Sequence, residues 1–70
     1  MTVQFNDVGP QRLSWVTDVP NLSELQLLRN IERHRIFSNM RTVRVKWQET
    51  GDAARIEKDG IEVGNVRVVR

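Results

Sequence analysis

Apolar and polar residues alternate without a break from Thr42 to Gln48, with Val43, Val45 and Trp47 on one side. A period of two is the signature of a strand with one buried face. Thr50-Gly51-Asp52 reads as a turn. Beyond it Ala54, Ile56 and Lys58 share one face, while Arg55 and Glu57 share the other. Asp59-Gly60 is a two-residue hairpin signal, because both central positions of a type I′ turn need positive φ. Ile61 and Val63 open the next strand. These turns set the registers: Trp47 falls opposite Ala54, Val45 opposite Ile56, and Ile56 opposite Val63. Each pairing joins apolar to apolar, which a slip of one residue would undo. The apolar parity then switches, from Ile61 and Val63 to Val66 and Val68, so a bulge or bend is expected at Gly64-Asn65.

The first residues predict another hairpin. Val3 and Phe5 share a face, as do Leu13 and Trp15. A loop around Val8-Gly9-Pro10 would set Phe5 against Leu13 and Val3 against Trp15. Between the two sets of strands lies a helix. Asn21-Leu22-Ser23-Glu24, just after Pro20, resembles a capping box with Asn as the cap. At 100° per residue Leu25, Leu28 and Ile31 form one stripe with Leu27 beside it, and Gln26, Asn30 and Arg33 lie opposite. Phe37 would fall on the solvent side of a longer helix, so the helix is predicted to end near His34–Ile36. The element order is β-β-α-β-β-β. It predicts an α+β fold with a single amphipathic helix packed on a mostly antiparallel sheet. An arrangement like the β-grasp, with a hairpin feeding a crossover helix, is one topological analogy.

Composition narrows the picture. At 39% hydrophobic and 29% charged, the chain has the balance of a folded domain rather than a disordered one. Its 70 residues predict a single domain, 1–70. Cys is absent and there is one His, so neither a disulfide nor a zinc ligand set is available. No metal and no cofactor are expected. A core of this size supplies about 3–5 kcal/mol, so stability must come from apolar packing or self-association. No apolar run approaches the roughly 20 residues of a membrane span. Met1 to Pro10 lack a basic stretch followed by an apolar one. A cytoplasmic setting without a membrane partner is the expectation.

Charge adds one asymmetry. The net charge is only +2, yet residues 29–47 hold six cations against the single anion Glu32. The six are Arg29, Arg33, Arg35, Arg41, Arg44 and Lys46, and planar Arg suits phosphate or carboxylate recognition. They are the candidate macromolecule-binding residues. They are also accounted for as solvated positions, with cations near the helix C-terminus offsetting its dipole. A shared patch requires the helix face and the strand face to converge.

Catalytic chemistry is harder to assemble. His34 sits between Arg33 and Arg35, and Glu32 cannot face it at helical spacing. Gly9, Gly51, Gly60 and Gly64 fall at separate turns and make no phosphate loop. Trp15 and Trp47 lie on the apolar sides of their strands, where core packing explains them better than base stacking. Phe37 and Met40 follow the helix, either capping the core or forming an exposed patch. A cleft of about 300 Å³, the usual scale of a small-molecule site, is not expected in so small a sheet. No small-molecule substrate and no enzyme activity are expected. The chain reads as a small accessory or adaptor protein that binds another protein or a second copy of itself. Its Val66–Arg70 end is the expected open edge. The alternative is nucleic-acid binding through segment 29–46.

Overall fold

The computed structural model describes Met1 to Val69. Five strands form one antiparallel sheet: β1 (Thr2–Val8), β2 (Leu13–Asp18), β3 (Val43–Trp47), β4 (Ala53–Lys58) and β5 (Ile61–Val69). Their spatial order is β2-β1-β5-β4-β3. One helix, α1 (Glu24–Arg33), lies on one face. This is the α+β arrangement that the alternation and the helical stripe predict. The analogy with the β-grasp, which would set the first and last strands parallel, does not hold, because β1 and β5 pair antiparallel. The expected open edge also moves. Residues 66–69 lie in β5 at the centre of the sheet, Arg70 lies outside the described residues, and the true edges are β2 and β3.

The β3–β4 register is as the turn at Thr50-Gly51 predicts, with Trp47 opposite Ala54 and Val45 opposite Ile56. Asp59 and Gly60 have φ of 54° and 80°, as a type I′ turn requires. Beyond that turn Glu57 meets Glu62, but Ile56 meets Gly64 rather than Val63. Val63 is the extra residue, so the bulge comes just before the expected Gly64-Asn65. A Cβ on Gly64 would stand 2.9 Å from Val8 Cα, which explains why glycine occupies the position where β1 and β5 approach.

The N-terminal hairpin is shifted by two residues from the expected pairing. Phe5 faces Trp15, Val3 faces Thr17, and Val8 faces Leu13. The turn runs through Gly9 to Arg12, closed by Arg12 N–H to the Gly9 carbonyl at 3.0 Å. β1 carries a bulge between Phe5 and Val8, with Asp7 at φ 52°. A shift of two leaves every side chain on its original face, so the apolar pattern is blind to it. The bulges of β1 and β5 adjoin, and Gly9 N–H donates to the Val63 carbonyl at 2.8 Å between them.

Helix α1 is capped by Ser23, not Asn21. Ser23 Oγ accepts from Gln26 N–H at 3.3 Å, and Asn21 Oδ1 accepts from Ser23 N–H at 3.0 Å. The cap and its partner therefore sit two residues further on. The buried stripe is Leu27, Asn30 and Ile31, while Leu25 is 57% exposed. At 100° per residue Leu25 lies about 160° from Leu27, so burying one turns the other to solvent. Leu28 is half-buried against the core. The core joins Leu27 and Ile31 to Val3, Phe5 and Val8 of β1, Val43 and Val45 of β3, Ala54 and Ile56 of β4, and Val66 of β5. Trp15, Trp47, Phe37 and Met40 are half-buried against it.

The helix is fastened to both edges of the sheet. At its start, Glu24 Oε2 accepts from the Val45 N–H of β3 at 2.9 Å. Towards its end, buried Asn30 accepts from Trp15 Nε1 of β2 at 2.8 Å and donates towards Thr17 Oγ1 at 3.5 Å. It thus crosses the face diagonally, from the β3 edge to the β2 edge. Asn30 was expected in solvent. It is buried because the Trp15 indole needs an acceptor.

Candidate functional site

The two edges differ in what they offer another strand. On β3, Val45 N–H is taken by Glu24, so the backbone of alternate residues Val43, Val45 and Trp47 points outward. Val43 N–H is also taken, by the Met40 carbonyl at 3.1 Å. Two of that edge's three outward donors are therefore occupied from within the chain. Arg44 Nε adds to the closure, lying 3.5 Å from Glu24 Oε2.

On β2 the outward groups have no such covering among the described residues. Met1 and Val19 exchange both backbone bonds at 2.8 Å, one of them from the terminal ammonium. By alternation the backbones of Val16 and Asp18 point away from β1. The Val16 side chain is 59% exposed on the sheet face that the helix leaves open, and Leu13 is 38% exposed. Ser14 and Asp18 are exposed beside them. Ser14 Oγ accepts from Asp7 N–H at 3.1 Å, and Asp18 Oδ1 accepts from Thr2 Oγ1 at 2.5 Å. β2 is thus an uncovered, mostly uncharged strand edge. Sequence reasoning missed it because edge status depends on strand order, which local alternation does not encode.

The six candidate cations are divided between surfaces. Arg29 and Arg33 are exposed on the outer side of α1, and Arg35 (φ 51°) and Arg41 are exposed after it. Arg44 and Lys46 belong to the opposite, open face of the sheet. Lys46 Nζ lies 3.3 Å from Glu57 Oε1, although Glu57 is the register partner of Arg44. The helix and strand cations do not converge on one patch.

His34 is exposed, yet its ring is held against the aromatic side chain beside it. Its ring stacks on Trp15 with centroids 4.0 Å apart, and Trp15 stacks on Phe5 at 4.5 Å. Its Nδ1 lies 3.0 Å from the Asn30 carbonyl, an acceptor for the tautomer that carries its proton there.

The twin bulges also leave a broad hollow of about 750 Å³ at one end of the sheet, beside Gly9, Ile36, Phe37 and Val63. This overturns the expectation that the sheet lacks concave volume. The charges lining it balance, with Asp7 and Glu62 against Arg12 and Lys58. Lys58 Nζ lies 3.4 Å from both the Asn39 carbonyl and Thr42 Oγ1. Among the described residues, no three of His, Asp or Glu gather as metal ligands, and no helix is long and apolar enough to cross a membrane. Comparison with known family models, curated proteins and solved structures finds no match to this chain.

Proposed function

We propose that the chain is a small protein-binding module that works by edge-strand pairing, and that its partner is a second copy of itself meeting β2 against β2. The observation that carries this reading is the contrast between the edges. Two of β3's three outward donors are taken by Glu24 and Met40, whereas β2 presents the outward backbone of Val16 and Asp18. An edge with free donors and acceptors accepts a further strand.

The β2 sequence is self-complementary in an antiparallel pairing centred on Val16. Val16 of one copy then faces Val16 of the other, Trp15 faces Thr17, and Leu13 faces Val19. Asp18 faces Ser14, so no like charges oppose one another and a hydroxyl meets the carboxylate. A two-fold axis through Val16 gives a closed dimer, not an open fibre. The pairing extends the sheet and covers the exposed Val16 and Leu13.

The test is sedimentation across a range of protein concentrations. The native chain is expected to pass from monomer to dimer. Val16→Pro removes the outward N–H on the axis without touching a bond to β1, since an edge position tolerates proline when its N–H faces solvent. Val16→Lys sets two ammonium groups against each other. Both variants are expected to stay monomeric with unchanged circular dichroism. A native chain that remains monomeric at millimolar concentration defeats the proposal.

A further inference from the structure

The open face of the sheet carries a second, separate surface. Lys46 of β3 stands directly opposite Arg55 of β4, and Arg55 opposite Asn65 of β5. Asn65 in turn faces Asn6 of β1. Two residues along β5, Arg67 lies diagonal to Arg55 and opposite Ala53. Diagonal neighbours on adjacent strands are about 7–8 Å apart, within reach of one ligand held by two long side chains. A shallow hollow of about 420 Å³ opens here, with Ala53, Arg55, Asn65 and Arg67 in its lining and Asp52 and Glu62 among its other walls.

The charges in this band are not all answered. Lys46 is paired with Glu57 at 3.3 Å. Asp52 Oδ1 is engaged by Thr50 Oγ1 at 2.6 Å. Arg55 and Arg67 are both exposed, and among the described residues neither makes an ion pair or a side-chain hydrogen bond. Like charges set directly opposite, as Lys46 and Arg55 are, destabilise a sheet. Glu57 answers Lys46, and Asp52 and Glu62 stand at the outer walls, but the two unpaired guanidinium forks set on a diagonal around a hollow floored by a small residue point to an anionic ligand held between them.

We infer that Arg55 and Arg67, with Lys46 beside them, form a binding surface for the phosphodiester backbone of a nucleic acid. The guanidinium fork matches phosphate oxygens in a bidentate way. Next to it, Asn6, Asn65 and Gln4 make a neutral amide chain: Gln4 Nε2 donates to Asn6 Oδ1, and Asn6 Nδ2 donates to Asn65 Oδ1, both at 3.0 Å. Phe5, Trp15 and Trp47 face the core, and the open face carries no aromatic side chain on which an unstacked base could lie. Recognition therefore runs through the backbone, is tolerant of sequence, and favours a duplex over a single strand. The surface draws on two cations outside segment 29–46 and leaves out the four on and after the helix. It does not depend on the β2 edge.

The experiment is fluorescence anisotropy with a labelled 20-base-pair DNA duplex, the matching single strand, and a polyglutamate peptide, at 50 and 200 mM salt. The native chain is expected to bind the duplex best. With two to three phosphates neutralised, its affinity should fall about 10- to 40-fold between the two salts. The Arg55→Ala/Arg67→Ala double variant should lose at least tenfold at 50 mM while keeping its circular dichroism. The Arg29→Ala/Arg33→Ala double variant should bind like the native chain. No binding at 50 mM, an unchanged affinity in the Arg55/Arg67 variant, an equal loss in the Arg29/Arg33 variant, or tighter binding of polyglutamate would each overturn the assignment.

Discussion

Asn30 shows how one polar side chain can hold two elements. Its oxygen receives the Trp15 indole N–H and its nitrogen reaches Thr17, so both ends of the amide are used below the helix. Asn30→Leu keeps the volume and strands the indole donor, and it is expected to destabilise the fold by about 1–3 kcal/mol. Urea denaturation followed by tryptophan emission reads the loss. Glu24 is the counterpart at the other edge. Glu24→Gln keeps an acceptor for Val45 N–H but removes the charge near Arg44, and should lose about 1 kcal/mol or less. Glu24→Ala frees the donor as well, and should raise aggregation measured by light scattering, because a second strand edge is then uncovered. Neither role was legible in the sequence. Helical spacing put the stripe on Leu25, Leu28 and Ile31 with Leu27 beside it, whereas the way the helix crosses the sheet buries Leu27, Asn30 and Ile31 and exposes Leu25. Arg55 and Arg67 escaped notice for a similar reason. They are twelve positions apart in the chain and become diagonal neighbours only through the bulge at Val63.

Among elements, the hairpins record what short-range patterning can and cannot specify. Thr50-Gly51 fixed the β3–β4 register, and Asp59-Gly60 fixed the β4–β5 pairing only for the two residue pairs next to the turn, before the bulge at Val63. The β1–β2 hairpin lacks a comparable two-residue signal, and its register moved by two with the parity intact. The bulge was legible as a parity switch, but its position was not, since the close approach of Val8 to Gly64 comes from a strand nearly sixty residues away. Gly64→Ala tests that contact. Backbone lies 2.9 Å from the added methyl, so β1 and β5 must separate, and a loss of about 1–3 kcal/mol is expected in thermal unfolding. Ser23→Ala removes the acceptor for Gln26 N–H and should lessen stability by about 1 kcal/mol, whereas Asn21→Ala should have the smaller effect. The capping-box reading would reverse that order.

For the whole molecule, the proposed β2–β2 pairing would make association part of stability, because the core is small. If β2 pairs with β2, the melting temperature of the native chain rises with protein concentration, and that of Val16→Lys does not, because a dimer adds binding free energy only to the folded state. Differential scanning calorimetry at three concentrations separates the two. The strand order has a consequence for synthesis as well. β5 lies between β1 and β4, with Thr2 facing Val69, so the last of the five strands to be made fills the middle of the sheet. While a ribosome still holds those residues, the β1–β2 hairpin and the β3–β4 hairpin have no strand joining them, and the helix has no continuous floor to pack against. Folding in stages from the leading end, as in chains whose early segments are self-sufficient, is closed to this one. Its fold is completed only after residue 69 has emerged, and a chain stopped at the Asp59-Gly60 turn loses its centre rather than a margin.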